Sequence, residues 1–291
     1  MAKKTPHSPL VYIVMRNRDA FPLTKTALAS LSKLTYPNYR ILIIDDGSRD
    51  DSADRLKKIF PNIELIKTQK YLEYCKSFNL GIKHALKHKA KFIFLVNNDT
   101  KDFSRNYLER IVETFQRDKK IGLVGSKCFD YKDGVRWEGK AKIKFGVPMD
   151  TPTEGFIVKS ETFKKVGLLN ENLVRYFEDL DFIVRLRKKG YKTKPVTSVS
   201  FAHLGGGTSS KQIFIPNYYR VRNIFLFIKR HCADKPIAWK INTFKTNMIV
   251  HINRLKEAFE NKEFLKFIKL LISILLGLIA GVFSPWREND E

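Results

Sequence analysis

Three acidic clusters and one histidine carry the residue types that chemistry needs. Asp45, Asp46, Gly47 and Ser48 close an apolar run that ends at Ile44, and Asn97, Asn98 and Asp99 close a second run, Phe92 to Val96. An acid at the end of a buried strand is either part of a turn or a fixed anion facing a ligand. For Asp46 the alternatives are a start for the next helix, Ser48 and Asp51 forming a capping-box-like pair, and a carboxylate that accepts hydrogen bonds from a nucleoside base or ribose. For Asp99 they are a cap on the following turn and a ligand holding a divalent cation against a diphosphate. One acid suffices for the second role, because Mg2+ takes one or two protein carboxylates and lets phosphate oxygens supply the rest.

Glu178, Asp179 and Asp181 begin a helical stretch, where acids ordinarily complement the helix dipole. Asp181 is assigned that role, while Asp179 has the further reading of a general base, which must reach its substrate with a pKa suited to accepting a proton. His203 follows Asp179 by 24 residues and precedes Gly205, Gly206 and Gly207. Alone it is a surface or packed side chain; beside a metal-binding Asp99 it is a second ligand, imidazole being acceptable to Mn2+, and the glycines form a loop able to close over phosphates. Arg220 and Arg222 offer cations either to a phosphate or to a surface such as a lipid headgroup.

The elements that must position these residues alternate. "LVYIVM" (10–15), "RILIID" (40–45), "IELIK" (63–67) and "KFIFLV" (91–96) read as strands. Helices lie between them, one opened by Pro22, one over about 51–60 and one over about 73–89. Strands continuous in Ile, Leu and Val are covered on both faces, and alternation at this pitch implies right-handed βαβ units in an α/β fold. Ligands of such sheets bind at the carboxyl ends of the strands, where both acidic motifs fall. No element is assigned between 101 and 119. Further on, "IGLVGSKCF" and "TEGFIVKS" read as strands, "VRWEGKAKIKF" as a hairpin arm, and "FEDLDFIVRLRKKGYK" as a short helix with a basic last turn stopped by Gly190.

Three helices are expected after about residue 213. The second repeats Ile237, Ile241, Phe244, Met248, Ile252, Leu255 and Phe259 at helical spacing, one apolar stripe. The last runs uncharged from Leu270 to Trp286, seventeen residues at the short limit of a membrane span. It lies in a membrane interface, packs within the protein or a dimer, or spans. The whole chain carries 54 Lys and Arg against 30 Asp and Glu, a net charge of +24 over 291 residues, which calls for a polyanionic partner or substrate. Of this excess, 20 basic against 7 acidic residues follow residue 182. Basic amphipathic helices attach to anionic leaflets, and a membrane-embedded, lipid-linked saccharide is then the natural acceptor. Nucleic acid would explain the charge, but acidic clusters at strand ends repel phosphate unless a metal intervenes, so it is not assigned as a partner. Three cysteines without regular spacing argue for a reducing compartment, and the basic, proline-broken N-terminus has no signal-peptide core. The expected place is cytoplasmic, peripheral on the inner face of the cell membrane.

Taken in order, DDGS after one strand, NND after a later one, "EGFIVKSETFKKVGLLNE", "FEDLD", His203 before a glycine-rich loop, and "YYRVRN" at 218–223 resemble glycosyltransferase family 2, in its bacterial rhamnosyl- and galactofuranosyl-transferase-like branch. The resemblance covers about residues 10 to 230, and the first five of these motifs in order are far more specific than any one. It implies a GT-A fold, a Rossmann-like mostly parallel sheet flanked by helices, to which the basic helices read above add a C-terminal helical, membrane-associating extension. The catalytic domain is then 1–212, and 213–291 the basic amphipathic helices that serve membrane association or homo-oligomerisation. It also implies an inverting, metal-dependent enzyme using Mn2+ or Mg2+ and a nucleotide-diphosphate-sugar donor. Carried across, Asp46 matches the nucleoside-binding acid, Asp99 the metal-binding acid and Asp179 the catalytic base. His203 matches the later metal or diphosphate ligand, and Asn17 lies where the first strand meets the nucleoside. Asn98 and Arg220 are assigned to the donor. Two departures are visible: "KYLEYCKSFN" replaces the usual Asn-x-Gly region, although Asn79 and Gly81 fit, and the DXD position holds a single acid. The first prompts the alternative of a catalytically silent scaffold on the same fold.

Overall fold

The computed structural model describes residues 8–130, 136–137, 142–144, 147–149, 154–204 and 213–285. Two compact units make up the chain. The first comprises Met1–Leu169 with Phe182–Gly207, the second Asn170–Asp181 with Thr208–Glu291.

In the first unit, β1 (Val11–Asn17), β2 (Tyr39–Asp45), β3 (Glu64–Lys67) and β4 (Phe92–Val96) are parallel in the order β3-β2-β1-β4. The helices α1 (Phe21–Leu31), α2 (Ser52–Ile59) and α3 (Tyr74–Lys87) connect them. The expected strands and helices of this half are therefore present within a residue or two of their expected limits. Because side chains alternate across a strand, Val11, Ile13 and Met15 join one core with Leu28 and Leu31 of α1. Val14 points the other way, where Gly81 of α3 comes so close that a Cβ would lie 2.3 Å from Val14 Cγ1. Only a residue without a side chain lets α3 sit on β1 at that distance.

The sheet then turns mixed. β5 (Thr100–Lys101), β6 (Ile121–Asp130), β10 (Gly155–Lys159) and β11 (Lys192–His203) extend it in the order β4-β10-β6-β11-β5, with β7 (Arg136–Trp137) paired to β6 and β8 (Lys142–Lys144) paired to β9 (Val147–Met149). β10 runs antiparallel to both β4 and β6, whereas β11 is parallel to β6. A helix that the sequence left unassigned, α4 (Tyr107–Arg117), packs Tyr107, Leu108, Ile111, Val112 and Phe115 into the core shared with β1 and α1. Its apolar stripe is clear, but no proline or side-chain cap marks its start. The short helix α5 (Ser160–Val166) also went unassigned.

The second unit holds a 3-10 turn (Glu171–Leu173), the first turn of α6 (Glu178–Lys188), and the helices α7 (Phe214–His231), α8 (Ile237–Glu260) and α9 (Phe264–Phe283). The three expected C-terminal helices are present. α9 lays Ser273, Gly277 and Gly281, spaced by four, against α7, where a Cβ at Gly277 would be 2.9 Å from the Tyr218 carbonyl oxygen. The apolar stripe foreseen on α8 packs differently: Met248 is buried, but Ile237, Ile241, Ile252 and Phe259 remain exposed.

Candidate active site

Parallel registry delivers the first motif. Asn17 at the end of β1 faces Asp45 at the end of β2, and the Asp46 N–H donates to the Asn17 carbonyl at 2.9 Å. Asn17 is fully buried and saturated. Its amide donates to Asp45 Oδ1 at 2.8 Å, Ser52 Oγ at 2.9 Å and Ser48 Oγ at 3.3 Å, and its Oδ1 accepts from Thr24 Oγ1 at 2.7 Å. The residue expected to meet a nucleoside is here an interior strut, since every polar atom is already engaged. Asp46 is likewise closed off, with Oδ2 2.7 Å from Arg16 Nε and Oδ1 accepting the Leu72 N–H at 2.6 Å. Nor does Ser48 start α2; the Ser52 N–H is met by Asp50 Oδ1 at 3.0 Å, while Ser48 donates to Asp45 Oδ1 at 2.6 Å. Gly47 has φ +62°, and a Cβ on it would lie 2.9 Å from the backbone of Lys70 and Tyr71. Segment 70–74 therefore lies directly on the DDGS turn. Above it the Arg18 guanidinium stacks 3.5 Å from the centre of the Tyr71 ring, a partly exposed cation and aromatic face that the sequence did not single out.

The segment that departs from the family pattern also reaches the second motif. Tyr74 donates its hydroxyl to Asn97 Oδ1 at 3.0 Å. Asn98 donates to Thr24 Oγ1 at 2.9 Å, and the same hydroxyl donates to Asn17, so one threonine of α1 ties the two motifs together. Arg16, Thr24, Leu72 and Tyr74 had no signal in sequence, because the partners that give them a role, Asp46, Asn98 and Asn97, lie 23 to 74 residues away.

Asp99 meets His203 because β5 pairs with the end of β11. Thr100 is opposite His203, and the Asp99 carbonyl accepts the Leu204 N–H at 2.8 Å. The His203 Nε2 to Asp99 Oδ2 distance is 3.2 Å. The other carboxylate oxygen, Oδ1, is buried with no hydrogen-bond partner among the described residues. A buried acceptor left unmade costs about 1–3 kcal/mol, more when charged, and a cation would satisfy it. The donor set of one carboxylate and one imidazole suits Mn2+ or Mg2+ completed by phosphate oxygens. Among the described residues no cluster of three or more His, Cys, Asp and Glu could hold a metal without such help. The glycines 205–207 lie outside the described residues.

The first unit thus gathers Asn17, Asp46, Asn98, Asp99 and His203 at one sheet edge. Asp179 and Arg220 belong to the second unit. There Asp179 lies mostly buried in the first turn of α6, and its neighbour Asp181 is fully buried, 2.7 Å from His231 Nε2. Asp181 is more than a dipole partner, because it anchors that turn to α7. The Arg220 guanidinium stands 4.2 Å over the Tyr176 ring, and burial, with Arg254 and Arg175 nearby, lowers its pKa from the usual arginine value.

The Glycosyl transferase family 2 model matches residues 10–195. The chain is 23% identical to the dTDP-rhamnosyl transferase RfbF of Shigella flexneri, over 92% of this chain and 95% of that protein. It is 22% identical to a glycosyltransferase of Haemophilus influenzae, over 93% and 90%. Among solved structures, a mannosyltransferase from Pyrobaculum calidifontis in complex with GDP-Man and Mn2+ superposes with TM-score 0.61, at 13% identity, covering 95% of this chain and 87% of that one. S. aureus TarS 1–349 in complex with UDP-GlcNAc gives 0.64 at 14% identity, covering 92% and 81%. The fold is GT-A. With the family model spanning well over half of its length, the chain belongs to glycosyl transferase family 2.

Proposed function

We propose that this glycosyltransferase is inverting and divalent-cation dependent, and that it moves a sugar from a nucleotide diphosphate to a saccharide or lipid-linked acceptor at the inner face of the cell membrane, in the synthesis of a surface polysaccharide or glycolipid. The observation that carries the reading is the Asp99 Oδ1 beside His203, buried without a hydrogen-bond partner among the described residues, an anion that a cation would complete. Asp99 and His203 would hold that ion, which supplies Lewis-acid stabilisation of the charge growing on the leaving diphosphate. Asp179 acts as general base on the acceptor hydroxyl, whose oxygen attacks the anomeric carbon opposite the leaving group. Asp46 and Asn17, both buried, fix the turn that the nucleoside contacts, and Arg16, Arg18 and Tyr71 offer the contact surface.

The likeness to a dTDP-rhamnosyl transferase makes dTDP-rhamnose the first donor to try. A thermal-shift panel of dTDP-rhamnose, UDP-GlcNAc and GDP-mannose, each with and without Mn2+ or Mg2+, should show a cation-dependent shift for one donor. Asp179→Asn should keep that shift and lose transfer. No shift with any donor in either cation would return the chain to the status of a silent scaffold.

The membrane half of the reading rests on α9. This helix is long and apolar enough to cross a membrane, with a mean hydropathy of 2.2. Yet Leu270, Ser273, Ile274, Gly277 and Gly281 are buried within the unit, whereas Leu265, Ile268, Leu275, Ile279 and Phe283 are exposed. One covered and one bare side suit a helix lying in the interface plane, and exposed Lys262 and Lys269 beside the apolar face favour anionic lipid.

A further inference from the structure

The helix α7 carries a stripe of residues at spacings of three, four and four: Arg220, Asn223, Phe227 and His231. The first three grip the stretch that leads into Asp179 and the fourth holds Asp181 just beyond it, and all of these contacts lie within the second unit. The Asn223 amide, fully buried, donates to three carbonyl oxygens, those of Leu173 at 2.8 Å and of Arg175 and Tyr176 at 2.9 Å. The Arg220 guanidinium covers the Tyr176 ring, Phe227 packs on Phe177 with ring centres 5.9 Å apart, and His231 holds Asp181. Arg222, on the neighbouring face, donates to the Asn172 carbonyl.

The gripped backbone is strained. Val174, Tyr176 and Phe177 have φ of 62°, 65° and 71°, a left-handed conformation that a β-branched residue and two aromatics adopt only when the surroundings impose it. Glycines there would have removed the strain. The clamp has its own cost as well, because turning its NH2 to three carbonyls leaves Asn223 Oδ1 buried without a partner among the described residues. Strained backbone over-determined by contacts, ending two residues before a reactive group, fits positioning better than it fits mere loop closure.

We infer that Asn223, assisted by Arg220, is a positioning residue for Asp179: the clamp fixes the left-handed turn 174–177 and so sets where the first turn of α6 presents its carboxylate. The inference rests on the proposed role of Asp179 as base. It also gives Arg220 a use other than donor binding.

The test uses the full chain with Mn2+ and the donor selected by the thermal-shift panel, water standing in for the acceptor and nucleotide release as readout. Asn223→Ala should lower kcat about 100-fold, the scale of a displacement of about 1 Å, while donor KM and the donor-induced thermal shift stay within about twofold. An unchanged kcat, or a rise in donor KM as large as the fall in kcat, overturns the inference. Arg220→Met guards against a failure of the first variant to fold. As a positioning change it should lower kcat about tenfold at constant donor KM; raised donor KM with intact kcat would return Arg220 to the donor phosphates and overturn its part in the clamp. Asp179→Asn is run in parallel. If that variant keeps full activity, the base assignment itself has failed; if it is inactive while Asn223→Ala is fully active, the clamp alone has failed.

Discussion

Asp46 and Asp99 follow the parallel strands β2 and β4, which flank β1, yet their surroundings give them opposite work. Asp46 is neutralised by Arg16 and by a backbone N–H, so Asp46→Ala would strand a guanidinium and free the segment 70–74. Removing one partner of a buried pair typically costs about 3–5 kcal/mol, and a fall in urea midpoint with loss of donor binding is the expected result. Asp99 is the reverse case, because its Oδ1 lacks a partner among the described residues. Asp99→Asn should leave the apo protein as stable or about 1 kcal/mol more stable, and abolish the Mn2+-dependent thermal shift. A pair of melting curves, with and without Mn2+, separates the two: a destabilised Asp99→Asn that still responds to Mn2+ would contradict the cation assignment.

The helices of the second unit are joined through a polar core that titrates. His251 of α8 donates Nδ1–H to Asn217 Oδ1 of α7 at 2.5 Å, and Asn217 donates to Ser273 Oγ of α9 at 2.7 Å. Burial first, then the nearby Arg254 and Arg220, hold the His251 pKa down to about 4. A histidine near 6.5 in the unfolded chain then binds a proton there before it does so in the fold. The stability tied to this group is complete above pH of about 6.5 and is lost as pH falls towards about 4, to an extent on the order of 3 kcal/mol. Urea denaturation at pH 8, 6 and 4.5 should show this decline, and His251→Gln should flatten the part that lies in this window. A decline of the same size in the variant would show that other groups are responsible. The same three helices explain why an apolar stripe on α8 is not a core: the packing surface of α7 is shared with α9, whose Ser273, Gly277 and Gly281 allow the closer approach.

For the whole molecule the unresolved partner of that bare apolar surface is, in the proposed reading, a bilayer. Ile237, Ile241, Ile249 and Ile252 of α8 and Leu265, Ile268, Leu275 and Ile279 of α9 are exposed together with Phe259 and Phe283, the kind of exposed apolar surface that marks a membrane or partner contact. The double variant Leu275→Asp with Ile279→Asp should abolish sedimentation with vesicles containing anionic lipid while keeping the donor-induced thermal shift. Retained vesicle binding, or a change from dimer to monomer by light scattering with no effect on vesicles, would assign the face to a second copy instead.

Sequence determined the order of the elements, the parallel half of the sheet and the family, since strand runs such as Phe92 to Val96 and the motifs at their ends are local and periodic. It also marked Asp46, Asp99, Asp179 and His203. It left α4 unassigned, although Asn106 and Glu109 stand at its start, and gave no access to what surrounds each marked residue. Asn17 proved saturated, Asp46 sealed by Arg16 and Leu72, and Asp99 open on one oxygen. The role of Asn223 as a clamp depends on carbonyls 47 to 50 residues away. Burial and hydrogen-bond partners are properties of three-dimensional neighbours rather than of residue type, so folding alone settles which acids are struts and which remain able to react.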